Sequence, residues 1–191
     1  MSMLAAAAAV LTITVRVYDL YGLPPDQKAK MLAHAADTLA QANVTAHWID
    51  CSRDERGVVP PACQAVLPPG ELVVRIMDRT RRGDHILGTA IVQDGGPNVI
   101  ASIYAASVQE RSVKSGVPIV TLLGRVTAHE IGHLLLGTNS HAPSGIMRAS
   151  WNVKVPHPAE WLFTRDDAAR IRLGLLRRSE GDVAAGRQLD E

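Results

Sequence analysis

Aromatic residues are scarce in this chain: one Phe, three Trp and three Tyr, 4% of all residues. That is too few for a surface on which bases or sugars would stack. A surplus of charge of one sign is missing too. Twenty Lys and Arg stand against nineteen Asp and Glu, a formal net charge of +1. Neither nucleic acid nor an anionic membrane is therefore favoured electrostatically. There is no internal repeat and no long low-complexity segment. The apolar run Leu4 to Leu11, dominated by Ala5 to Ala9, is too short to span a bilayer. It resembles the end of a secretory signal but lacks the basic residues that should precede one; a remnant or a frayed first strand is the plainer reading.

Cysteine is nearly absent as well. Cys51 and Cys63 both lie in a proline-rich connection. They are either two unpaired thiols of a cytosolic protein or a bridge stapling a loop. A bridge closing so short a loop would contribute about 3 kcal/mol, and it points to an exported protein, secreted or periplasmic. What remains is ordinary globular material: 191 residues, 47% hydrophobic and 20% charged, enough for one domain with a sizeable core. The expected division is a disordered or signal-remnant segment over 1–11, a single domain over 12–176, and a mobile charged tail over 177–191.

Thr12 to Val17 alternates β-branched with other residues and reads as a strand. Pro24-Pro25-Asp26 starts a helix, and Met31, Ala35, Leu39 and Ala42 carry it at helical spacing to about Asn43. Strands are expected at Val44 to Ile49, Leu72 to Met77, Ile86 to Val92 and Val99 to Ala105. A loop from Asp50 to Gly70, a charged turn at Arg79 to Asp84 and a break at Asp94-Gly95-Gly96-Pro97 separate them. Pro118 opens a long helix to Leu136, which Gly137 ends. Ala142 to Trp161 is a structured loop. Thr164 caps a last helix through a loose capping box with Asp167, and Ala168, Ile171 and Leu175, with Leu176 beside them, form its apolar stripe. The order indicates an α+β fold, a mixed sheet with helices laid on it, of which the helix from Pro118 to Leu136 is the central one.

The central helix carries His129-Glu130-Ile131-Gly132-His133. Histidines four apart project from one helical face, about 6 Å apart along the axis. Two imidazoles so placed converge on one zinc. Glu130 then sits beside the metal without ligating it, placed to take a proton from zinc-bound water and hand it to a leaving group. Two histidines and a glutamate on an apolar helix are expensive core residues without partners, which argues against a purely structural role. Catalytic zinc normally takes three protein ligands. His141 can return to the metal after the turn Gly137-Thr138-Asn139-Ser140; Glu160 competes but lies just before a helix cap.

His129-Glu130-x-x-His133, then Gly137, His141 and Ser144-Gly145-Ile146-Met147, resembles the metzincin arrangement of zinc peptidases. That pattern is HExxHxxGxxH; here the glycine comes one residue later and the histidine two residues later, with Leu136 and Asn139 at the usual positions. Leu162 to Ile171 resembles the C-terminal helix of matrixin-like members, and the whole is similar to short exported bacterial zincin-like proteins. The resemblance implies one Zn2+ per chain on His129, His133 and His141, with Met147 as a hydrophobic floor beneath it. The element order is similar too, which implies a mostly parallel five-stranded sheet with an antiparallel edge strand, a backing helix, an active-site helix and a C-terminal helix, with Ile86–Val92 as the edge that pairs with an extended peptide. Some metzincins place a tyrosine two residues after the methionine; here that position is Ala149. From the residues alone, Met147 is equally an ordinary core methionine, and Trp151 either walls a side-chain pocket or packs.

Three functions compete. The first is a zinc metalloendopeptidase acting on a peptide or protein substrate through Glu130. The second is a metal-dependent RNA hydrolase, a class that also uses three histidines but lacks the glutamate after the first. The third is a zincin-fold binding domain without activity. Glu130 and the balanced charge favour the first. Expected partners are then a peptide or protein substrate, with no nucleic acid and no stable membrane insertion, and the chain is expected to be a monomer.

Overall fold

The computed structural model describes residues 10–53, 56–68, 70–78, 86–93, 98–151 and 158–188. Five strands, β1 (Leu11–Asp19), β2 (Val44–Asp50), β3 (Leu72–Met77), β4 (Gly88–Ala90) and β5 (Ile100–Tyr104), form one sheet in the order β2-β1-β3-β5-β4. Every pairing is parallel except that of β4 with β5. This is the expected α+β architecture, a mostly parallel sheet with an antiparallel edge.

Register assigns the faces. Residues paired across a sheet point to the same side. Val15 pairs with Leu72, Val17 with Val74 and Val74 with Ala101, and all five side chains are buried. The same face holds Ile76 and Ile103. The opposite face is polar: Arg16, Tyr18, Arg75 and Ser102 lie on it, and Arg75 donates to Ser102 at 2.9 Å. A parallel sheet needs cover on both faces. Here the connection after β2, which contains a short helix α2 (Pro61–Gln64), covers the polar one. Buried Arg16 donates to Glu71 at 2.6 Å and to the Ala65 carbonyl at 2.8 Å, and Tyr18 donates to the Cys63 carbonyl at 3.2 Å. A disulfide joins Cys51 and Cys63 across the same connection, with Cα atoms 5.6 Å apart.

The apolar side is closed by helices. The backing helix α1 (Pro25–Ala40) buries Met31, Ala35, Thr38 and Leu39. It packs on α4 (Ile119–Leu136), which has no exposed residue. By length and composition alone α4 could cross a membrane; in the fold, 72% of it is buried as the core helix. The two helices meet at Gly124, where a Cβ would stand 2.5 Å from His34 Cβ and 2.7 Å from the Met31 carbonyl oxygen. The C-terminal helix α5 (Arg165–Gln188) lies across α4, and Arg178 donates to the Leu134 carbonyl at 2.9 Å. That bond satisfies a carbonyl which the end of α4 leaves open. The Asp version of the capping box is present: the Thr164 hydroxyl accepts from Asp167 N–H at 3.1 Å and donates to its carboxylate at 2.7 Å.

Several boundaries differ from expectation. Helix α1 stops at Ala40, because Asn43 turns the chain with φ of 58°. The strand expected over Ile86–Val92 is regular only at Gly88–Ala90, although backbone bonds from Tyr104 to Leu87 and from Ile91 to Ile100 extend the pairing on both sides. The strand expected to reach Ala105 ends at Tyr104, where helix α3 (Ala105–Ser115) begins. Only Ala105 and Val108 of α3 are buried, too few to mark a helical stripe in the sequence. The loop Ala142 to Trp161 ends in a short 3-10 helix at Pro158–Trp161. Leu176 is 45% exposed and leaves the stripe to Ala168, Ile171 and Leu175. Helix α5 continues past Arg177 to Gln188, so most of the segment expected as a mobile tail is helical. The expectations for residues 1–9, the charged turn at 79–84 and the break at 94–97 fall outside the described residues.

Two outcomes follow for stability. Gly124→Ala meets backbone as well as side chain, so it should destabilise the protein by about 1–3 kcal/mol in thermal or urea denaturation. Thiol titration of the denatured, oxidised protein should find no free cysteine, and reduction should cost about 3 kcal/mol.

Candidate metal centre

Helix α4 places His129 and His133 one turn apart on one face, 6% and 4% exposed. Their Nε2 atoms stand 3.0 Å apart. His129 Nδ1 lies 2.7 Å from the Ile146 carbonyl oxygen, and His133 Nδ1 lies 2.7 Å from the Thr138 carbonyl oxygen. A carbonyl only accepts, so each Nδ1 carries the proton and each neutral ring turns a bare lone pair forward at Nε2. Two lone pairs at that distance repel unless a cation lies between them. Imidazole nitrogens sharing one tetrahedral zinc are about 3.3 Å apart.

The third imidazole arrives by a turn. Gly137 adopts φ of 64°, and its N–H bonds to the His133 carbonyl at 2.9 Å, ending α4. Thr138 then uses its carbonyl to hold His133 and its hydroxyl to accept Ser140 N–H at 3.1 Å. The chain doubles back and exposed His141 comes to rest with its ring centroid 4.9 Å from that of His133 and 5.4 Å from that of His129. One nitrogen from each of the three rings lies within 4.8 Å of the others. The longer turn absorbs the displaced glycine and histidine, and three imidazole nitrogens are a donor set that could hold zinc.

Beyond the turn, Ala142 N–H bonds to the Met147 carbonyl and Ile146 N–H to the Leu162 carbonyl, pinning the loop that supplies the Ile146 oxygen. Met147 is 1% exposed and lies against α4. A Cβ on Gly132 would stand 2.6 Å from Met147 Sδ and 2.9 Å from Phe163 Cε1, so the glycine inside the histidine motif makes room for that sulfur and ring.

Electrostatics favour the metal-ready state. Burial brings His129 down to about 4, against the raising effect of its bond to Ile146 and with the help of neighbouring His133 and His141. Burial likewise lowers His133. Both stay neutral, as ligation requires. Burial alone pushes the Glu130 carboxyl up to about 8; a dication beside it would act in the opposite direction.

The imidazoles open on a cavity of about 900 Å³ whose walls include Gly88 and Thr89 of β4, Glu110 and Arg111 of α3, and Ala149 and Trp151 of the loop. Trp151 both lines the cavity and packs. Its indole N–H donates to the Ile146 carbonyl at 2.9 Å, the same oxygen that holds His129, and its ring stands edge-on to His129 at 5.4 Å. Ala149 brings no hydroxyl. Glu160, the competing ligand, is not with the histidines: it pairs with Arg148 at 3.2 Å. Four contributors escaped the sequence. The α3 wall lacked a stripe, the Ile146 and Thr138 carbonyls are backbone and leave no residue signature, and Gly88 acts only by lacking a Cβ.

No protein-family profile matches the chain, and no curated protein is significantly similar to it in sequence. Solved structures do resemble it. Archaemetzincin from Methanopyrus kandleri aligns with a TM-score of 0.52 at 14% identity, over 86% of this chain and 96% of that one. Metalloproteinase-II from Bacteroides fragilis aligns with a TM-score of 0.57 at 13% identity, over 89% of this chain and 55% of that one. At such identities the likeness is one of fold: this chain shares the fold of these two proteins.

Proposed function

We propose that this chain is a zinc-dependent metalloendopeptidase, holding one Zn2+ on His129, His133 and His141 and using Glu130 as general base and acid on a peptide or protein substrate. The observation that carries the reading is the pair of facing Nε2 atoms at 3.0 Å, each left bare because the proton of its ring sits on Nδ1 and is donated to a backbone carbonyl. His141 beside them and a cleft in front of them support it. So does the fold shared with two proteins named as a metzincin and a metalloproteinase. Zinc bound there would polarise the scissile carbonyl and lower the pKa of a water to about 7.

This chain's own residues do the rest. The Ile146 and Thr138 carbonyls hold two rings in one tautomer and orientation, so the ligand set is preorganised. Glu130 follows His129 and lines the same cavity. It accepts the proton released by the attacking water and returns it to the departing amine nitrogen. Ala149 offers no hydroxyl to the developing oxyanion. The three imidazoles and the carboxylate all belong to one chain, so the site is complete in a monomer. The Cys51–Cys63 bridge fits an exported protein, secreted or periplasmic.

Elemental analysis should find about one zinc per chain. His129→Ala and His133→Ala should each lose it, and His141→Ala should weaken binding at least ~10-fold as three protein ligands fall to two. Glu160→Gln should leave zinc bound. If Glu160→Gln strips the metal while His141→Ala retains it, the ligand assignment is wrong.

Glu130→Gln keeps the size of the side chain and removes the base. It should retain zinc while cutting peptide hydrolysis at least ~10²-fold. A zinc-loaded parent that cleaves no peptide in a mixed library would end the peptidase reading.

A further inference from the structure

We propose that Gly88, on the edge strand, is a positioning residue for Glu130: its missing Cβ opens the slot in which the Glu130 side chain is held. The inference rests on Glu130 as the base of the proposed reaction. A Cβ at position 88 would stand 2.8 Å from Glu130 Cγ, 2.8 Å from Oε1 and 3.0 Å from Cδ. The φ of Gly88 lies outside the left-handed region, so the backbone does not itself require glycine.

Among the described residues nothing polar ties the carboxylate down. Glu130 is 5% exposed and has no hydrogen-bond or ion-pair partner among the described residues. Its position is set by the shape of the walls around it, and β4 is one of them. That wall is held firmly: Gly88 pairs with Ile103, and the Tyr104–Leu87 and Ile91–Ile100 backbone bonds, each 2.9 Å, flank the pairing. The group that yields to an added methyl is therefore the Glu130 side chain, not the strand, and because Cγ and Cδ as well as Oε1 meet the methyl inside a buried slot, that shift has a cost. Gly88→Ala moves the base and leaves the imidazoles where they are. A misplacement of about 1 Å at a reacting group is enough to slow a reaction ~10²-fold.

The test uses zinc-loaded, full-length protein. Gly88→Ala should lower kcat at least ~10-fold, with KM and zinc affinity each within ~3-fold of the parent. A thermal double-mutant cycle reads the contact without turnover. Gly88→Ala should lower the melting midpoint by at least about 3 °C more in the parent than in Glu130→Ala, where the slot is empty. Unchanged kcat overturns the proposal. So does a rise in KM alone, which would make Gly88 a substrate contact, or an equal midpoint shift in both backgrounds. If the parent cleaves no peptide, the peptidase reading fails and the thermal cycle alone decides the slot.

Discussion

Two hydrogen bonds, from His129 Nδ1 to the Ile146 carbonyl and from His133 Nδ1 to the Thr138 carbonyl, allow one helix to serve as both core and site. Helix α4 has no exposed residue, and burying two imidazoles on it without partners would be destabilising. Each carbonyl satisfies one ring nitrogen and leaves the other bare. The two oxygens come from segments that follow α4 in the chain. Ile146 reaches its place because its own N–H bonds to the Leu162 carbonyl, just before the cap of α5. The geometry of the site therefore depends on the docking of the last helix, far along the chain from the histidines.

Much of this could be read from the residues and some could not. The strands, helices α1, α4 and α5 and the ends of α4 followed from alternation, helical spacing, Pro118 and Gly137, since those signals are local, whereas the antiparallel edge came from the resemblance. The meeting of His141 with His129 and His133 was expected from the helix stop at Gly137 and the turn after it, and that turn also accounts for the departure from the spacing of the family it resembles. Helix α3 was not legible, because it buries only Ala105 and Val108 and is otherwise a polar wall of the cleft. The carbonyls that set the tautomers belong to the backbone, so no residue type announces them. Trp151 was legible as a choice between wall and packing, and the structure gives it both roles through one indole.

Absent side chains shape this protein as much as present ones. Gly124 lets α1 and α4 touch, Gly132 admits Met147 and Phe163 beneath the histidines, and Gly88 leaves space for Glu130. These three positions bring the backing helix, the methionine loop and the edge strand against α4 at consecutive levels. Distances between layers are thus fixed by van der Waals contact, which changes steeply over tenths of an ångström. Polar contacts alone would hold the same groups with more play.

The near-complete burial of α4 also bears on what happens when the fold is lost. Eighteen residues with a mean hydropathy of 1.2 become accessible together when α4 leaves the sheet and α5. An unfolded chain displaying such a segment is prone to self-association faster than it refolds. An ion bound only to the native state disfavours that release by mass action, by RT ln(1 + c/Kd) at free ion concentration c. A metal held by His129 and His133 would then also guard against aggregation, because the helix that carries them is, among the described residues, the one long and apolar enough to cross a membrane.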